Sequence, residues 1–291
     1  MKNLNKDNNL LLKDRIISLV ETIIQCIKYQ GFFVGLIITF HYIKLRFFHK
    51  FIKSDIYSFL GYKLAYLDIK QVAHILFEVF GQNIYFFKCK TNTPVIIDIG
   101  ANIGDSVIYF KWIFPKSEIY AFEPLPNAFK LLQRNIKVND FENVKIYNFG
   151  LGDNESVVKL YSDKIGTSGS STINKKTSDY KLKLDIHEHK IRIKKLSSFK
   201  DIYRHKRIDL IKIDIEGAEG SLLNELEKIL PRTERIIMEF HVIPDISQNS
   251  FDRLVSLLRK YEFKLSFSGF YRNSKNISNP FAFLLRADKY D

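Results

Sequence analysis

The sequence predicts an α/β protein, a mostly parallel sheet with helices on both faces behind a helical N-terminal extension. Three observations carry that prediction. From Pro94 onward, short unbroken apolar segments alternate with stretches of helical periodicity, the pattern of strands covered on both faces. Glycine turns and acidic residues follow directly on those segments, where an open parallel sheet places its ligands. Over 291 residues, a 46% hydrophobic content with only 13 Gly and 7 Pro supplies a sizeable core and excludes a disordered or fibrous chain.

Residues 10–52 read as helix, because Leu12, Ile16, Leu19, Ile23, Ile24 and Ile27 recur at three- and four-residue steps. After Gly31 the periodicity gives way to an apolar run, and cations return at Lys44, Arg46, His49, Lys50 and Lys53. That pattern fits a buried helix or a contact with a second copy, and equally a helix in a membrane interface, so residues 28–53 are a candidate for peripheral membrane association. The apolar run from Gly31 to Ile43 is interrupted by His41 and bounded by Lys28 and Lys44, and the roughly 20 residues of a spanning helix are not reached, so no transmembrane segment is predicted. Residues 56–93 form a small α+β prelude, with alternation around Phe59, Tyr62, Leu64 and Tyr66, a helix over 71–80 ended by Gly81, and a strand over 84–87.

The main domain spans 94–291. Strands are expected at 95–99, 118–122, 144–149, 210–213 and 236–240, with helices at 105–112, 128–138, 221–230 and 251–261 between them. An antiparallel pair, 263–267 with 281–285, closes the sheet. Two distant cysteines, Cys26 and Cys89, build neither a disulfide framework nor a cysteine zinc site, and the N-terminus lacks the order of a secretory signal, so a cytoplasmic address is expected. The net charge of +13 is spread along the chain and reads as a generally basic surface.

The chemistry lies after the strands. The first is followed by Asp98-Ile99-Gly100-Ala101-Asn102-Ile103-Gly104-Asp105-Ser106, whose small residues let backbone approach a ligand at a helix start. The second ends in Glu123-Pro124, an acid about 20 residues beyond the loop that can accept hydrogen bonds from both hydroxyls of a ribose. A dinucleotide fingerprint wants glycine where Asn102 stands, and the carboxylate of Asp98 beside the loop disfavours a pyrophosphate while suiting the ammonium of S-adenosylmethionine. The third strand leads to Gly152-Asp153, an acceptor for an adenine amino group or an ordinary turn. The fourth ends in Asp214, Glu216 and Glu219, three acids that are costly together unless a cation, a sulfonium or a proton relieves them. The fifth brings Glu239 and His241.

The runs VIIDIGANIGDS, YAFEPLPNAF, NFGLGD, LIKIDIEGAEGSLL and IIMEFH, in this order and at these separations, resemble the FkbM-type family of S-adenosylmethionine-dependent methyltransferases over roughly residues 94–291. The resemblance implies a class I methyltransferase (Rossmann-like) fold, a seven-stranded sheet whose last strand is antiparallel, and O-methylation of hydroxyls, commonly of sugars in glycans. It puts Asp98, Gly100, Asn102 and Gly104 around the methionine part of the cofactor, Glu123 on its ribose, Asp153 near its adenine, and Asp214 and Glu216 beside the reacting methyl. Ala101, Asp105, Ser106, Pro124 and Gly152 flank these positions in the same blocks. Where the family often has Thr-Leu-Asp before the fourth strand, this chain has Lys195-Leu196-Ser197, and the first 55 residues match no family motif.

A hydroxyl is a poor nucleophile until its proton leaves, so His241 is expected as general base, or Asp214, Glu239 and His241 as ligands of a magnesium or manganese ion. Gly166 to Thr172, rich in hydroxyls, suits a lid over the acceptor. The implied acceptor is a carbohydrate or glycolipid. The competing readings are an RNA methyltransferase, suggested by the charge though no RNA-binding module is recognisable, and a non-catalytic membrane-associated protein that keeps the fold.

Overall fold

The computed structural model describes residues 20–162, 187–242, 248–271 and 281–289, and the chain divides into two units, Met1–Phe87 and Lys88–Asp291. In the first unit, residues 20–30 are helical, the backbone turns at Gly31 (φ 77), and α1 (Phe32–Phe48) follows with a 3₁₀ turn, His49–Phe51. The single helix expected over this region is therefore two. Because the helical backbone runs on past Lys44 and Arg46, the segment Phe32–Phe51 reaches 20 residues at a mean hydropathy of 1.2, long and apolar enough to cross a membrane by length and composition. The expectation that it falls short stopped the run at its first lysine.

Gly35, Ile38, Thr39 and Leu45 form the buried face of α1, which packs against α2 (Ile69–Ile75) and the π-helical turn after it, Leu76–Gly81. Asp68 caps α2 by accepting from the Lys70 N–H at 2.9 Å. The alternation around Phe59 and Leu64 becomes a hairpin, β1 (Ile56–Phe59) and β2 (Tyr62–Ala65), closed by Leu60 and Gly61, both at positive φ as a primed turn requires. Residues 84–87 are not a strand as expected. Left-handed Asn83 turns the backbone and accepts from the Phe86 N–H at 3.0 Å.

In the second unit the expected strands pair into one seven-stranded sheet. In chain order they are β3 (Val95–Ile99), β4 (Glu118–Phe122), β5 (Val144–Tyr147), β9 (Leu210–Ile213), β10 (Arg235–Val242), β11 (Phe263–Tyr271) and β12 (Phe281–Lys289), laid out as β11-β12-β10-β9-β3-β4-β5. Only β12 runs against the others, pairing antiparallel with both β10 and β11. This is the class I methyltransferase arrangement. A smaller sheet, β6 (Gly150–Leu151), β7 (Ser156–Ser162) and β8 (His187–Lys194), follows β5 in order β6-β8-β7. The expected lid, Gly166 to Thr172, lies outside the described residues.

Strand alternation gives the sheet two different faces. Ile97, Ile99, Ile211, Ile213, Ile236, Met238 and Phe240 join one apolar core with α5 (Leu223–Ile229) and α6 (Gln248–Lys260). The intervening residues face the other way, and register sets Asp98 of β3 beside Lys212 of β9 on that face. Sequence thus dictates a buried ion pair where an uninterrupted apolar strand was expected.

Candidate active site

The topological switch lies between β3 and β9, where the strand order reverses. Gly100 leaves β3 at φ +84, and a Cβ there would stand 1.8 Å from the Asp214 carbonyl oxygen, so no other residue fits. The N–H groups of Gly100 and Ala101 both donate to the Phe122 carbonyl at 2.9 Å, which ties the loop to the end of β4. Asn102 is left-handed (φ 49), a conformation its side chain tolerates, and its N–H donates to Glu123 Oε2 at 2.9 Å. The other carboxylate oxygen of Glu123 accepts from the Leu125 N–H at 2.8 Å. Burial (1% exposed) pushes the Glu123 carboxyl up to about 7, against the pull of those two N–H donors and of Lys212. Each oxygen keeps acceptor capacity beyond its one backbone donor.

Between this loop and the smaller sheet opens a crevice of about 330 Å³. Its apolar wall includes Phe149, Leu160, Ile191 and Ile193, while Glu123, Asp153, Asp214 and Glu216 line its polar part. Among the described residues no Lys, Arg or His lines it. On a chain of net charge +13, that is a site built for a cation and against a pyrophosphate.

Of the residues expected to touch the cofactor, Gly100, Glu123, Pro124, Gly152 and Asp153 line the crevice. Asp98, Ala101, Asn102, Gly104, Asp105 and Ser106 are not among its lining residues. Asp98 is fully buried; its Oδ2 accepts from Ser106 Oγ at 2.5 Å and its Oδ1 lies 3.3 Å from Lys212 Nζ. It supports the loop through Ser106 and is ion-paired with Lys212. Asp105 opens α3 (Asp105–Ile113), and burial pushes its carboxyl up to about 6 although Lys212 pulls it down. Asp153 Oδ1 is taken by the Glu225 N–H at 2.9 Å, near the start of α5.

Lys212, which the sequence reading passed over, is the cation that relieves these acids. It is 2% exposed, donates to the Gly100 carbonyl at 2.6 Å and lies 3.8 Å from Asp214 Oδ2. Burial alone would lower its pKa; Asp98, Asp214 and Asp105 outweigh that and raise it. The signal was present: a lysine inside an apolar central strand must be paired.

His241 holds a second balance. Its Nδ1 is 2.9 Å from Glu219 Oε1, and its Nε2 is 3.3 Å from Glu216 Oε2 and 3.7 Å from Glu239 Oε1. Burial works against the charged ring, but Glu216, Glu219 and Asp214 overcome it and push the pKa up to about 10. The neutral general base expected at this position is thus an imidazolium at neutral pH, because three carboxylates surround it. Glu219, read as a residue of a helix start or one of three acids at the strand end, is its partner, and Glu216 is held at φ 55. The donor atoms of Asp214, Glu216 and His241 lie within 4.8 Å of one another, so Glu216 takes the place given to Glu239 in the expected metal set. A divalent ion there requires His241 to give up its Nε2 proton.

The Methyltransferase FkbM domain matches residues 98–265. Methyltransferase 1 of Beauveria bassiana (strain ARSEF 2860) is 33% identical over 167 residues, covering 52% of this chain and 67% of that protein. Methyltransferase sdnD of Sordaria araneosa is 29% identical over 200 residues, covering 57% and 74%. The 2-O-methyltransferase NoeI of Sinorhizobium fredii (strain NBRC 101917 / NGR234) is 22% identical over 156 residues, covering 50% and 63%. With the strand order of its sheet, the glycine loop and the acidic crevice in place, and with the domain match spanning more than half its length, the chain belongs to the FkbM methyltransferase family.

Proposed function

We propose that this methyltransferase acts on oxygen, moving the methyl group of S-adenosylmethionine to a hydroxyl of a carbohydrate, in a glycan or glycolipid. The observation that carries the reading is the crevice with four carboxylate residues and, among the described residues, no basic one, ending at the clustered acids around His241. The residues fit the donor: Gly100 leaves the loop without a side chain, Glu123 retains acceptor capacity for ribose hydroxyls, and the wall beside Phe149 suits an apolar ring face. Bound there, the donor supplies a methyl group already activated on a positively charged sulfur.

The chain's own part is to hold an acceptor hydroxyl in line and to take its proton. Asp214 and Glu216 line the crevice and are the groups placed to accept it. An oxygen that is gaining a methyl becomes strongly acidic, so a carboxylate suffices as the proton's destination. His241, as imidazolium, lies among Glu216, Glu219 and Glu239 and fixes Glu216 from behind. The imidazolium proton balances the carboxylates that a divalent ion would otherwise use. The same acidic lining disfavours a polyanionic acceptor such as RNA.

The test is mass spectrometry of the host's surface glycans with and without this protein. The reading expects a species heavier by one methylene group that disappears with the gene and with Asp214→Asn. Identical glycan profiles, together with methylated RNA from the same cells that does depend on the protein, would reject it.

A further inference from the structure

The outer face of α1 is covered by aromatic side chains. Phe33 is 80% exposed, Phe40 64% and Phe51 79%, and Leu36, Ile37, Phe47 and Phe48 are exposed beside them. These positions recur at three- and four-residue steps, so they form one stripe along the helix and its 3₁₀ extension, opposite the face that buries Gly35, Ile38 and Leu45. An apolar stripe of this length on a free surface marks a contact. Charge indicates which. Between Glu21 and Asp55 there is no acidic residue, while Lys28, Lys44, Arg46, Lys50 and Lys53 all fall in that interval.

We propose that this face docks on an anionic lipid bilayer, with α1 lying in the interface, its phenylalanines among the acyl chains and the exposed cations Lys44, Lys50 and Lys53 meeting the lipid headgroups. Aromatic residues on one side and cations at one end are what an interfacial helix needs. The stripe would be equally satisfied by a second copy of this chain, but two identical segments free of acidic residues repel each other, and a negatively charged surface does not. A spanning orientation is disfavoured because one side of α1 is already committed to α2 and the turn Leu76–Gly81 of its own unit. The inference goes beyond the methyl-transfer reading and does not depend on it.

Cosedimentation of the full chain with vesicles of phosphatidylcholine plus phosphatidylglycerol, against vesicles of phosphatidylcholine alone, tests it. The chain is expected to bind the anionic vesicles and to be released by high salt. Two variants should each weaken the partition about tenfold or more: Phe33→Ser with Phe40→Ser, and Lys50→Glu with Lys53→Glu. Because the second variant changes only exposed charges, it keeps the test valid if the first does not fold, and thermal unfolding of both should match the wild type. No binding to anionic vesicles, equal binding to neutral ones, or partition unchanged in the lysine variant overturns the proposal. So does retention through high salt and alkaline extraction, which means a span, or a dimer in solution abolished by the phenylalanine variant without any vesicle binding.

Discussion

Replacing Glu219 by Gln tests the charge balance at the site. The amide keeps an oxygen for His241 Nδ1 at 2.9 Å and for the Gly217 N–H at 3.1 Å, so shape is preserved and only charge is lost. The rise of His241 from 6.5 to about 10 corresponds to about 5 kcal/mol of preference for the protonated ring at 1.36 kcal/mol per tenfold. Divided among the carboxylates that face the ring, the nearest, Glu219, accounts for about 2 kcal/mol. The folded-state pKa lies above the unfolded one, so this stabilisation is fully present below pH 6.5 and is lost as pH rises toward about 10. Urea unfolding should therefore show the variant about 2 kcal/mol less stable than wild type near pH 6, with the gap closing near pH 10. An NMR titration of the His241 ring should show its midpoint falling by about one to two pH units in the variant. A pH-independent gap, or a wild-type ring that titrates near 6.5, would refute the reasoning.

Gly100→Ala forces a Cβ against the Asp214 carbonyl at a left-handed position, and a loss of at least about 3 kcal/mol is expected, read as a melting temperature lower by roughly 5–10 °C. Glu123→Ala should weaken S-adenosylmethionine by about tenfold or more in calorimetry and, because it leaves the Asn102 and Leu125 N–H groups without their acceptor, also lower the stability of the fold by about 1–3 kcal/mol. Lys212→Met leaves Asp98, Asp105 and Asp214 uncompensated and should cost about 3–5 kcal/mol at neutral pH, the deficit shrinking as pH falls and the Asp105 carboxyl takes up a proton; a deficit that grows on acidification contradicts the pairing. Methyl transfer assayed after exhaustive chelation should keep its rate within about twofold, and a rate that returns only with magnesium or manganese would put an ion at Asp214, Glu216 and His241.

The strands of the large sheet were legible because each is a short apolar run between turns, and the glycine loop was legible because backbone crowding at Gly100 admits one residue type only. Three features were not. The break at Gly31 falls where the amphipathic spacing gives way to an apolar run, a change that does not by itself end a helix, so only the backbone angle reveals it. The state of His241 depends on Glu216 and Glu219, which come from another strand end and are brought together by the β9–β10 pairing, a long-range fact. Asp98 was read as a ligand to the cofactor because it precedes the loop; alternation along β3 turns it instead toward Lys212 and Ser106. The lysine in β9 carried the information needed to anticipate that pairing, since an isolated cation cannot be buried at that depth.

The acidic crevice should select a positively charged donor over a paired-phosphate nucleotide. Side-by-side titration calorimetry of the full chain with S-adenosylmethionine and with NAD measures this most directly. Saturable heat from S-adenosylmethionine, lost in Glu123→Ala, and none from NAD is the predicted result; saturable binding of NAD with no heat from S-adenosylmethionine would contradict it.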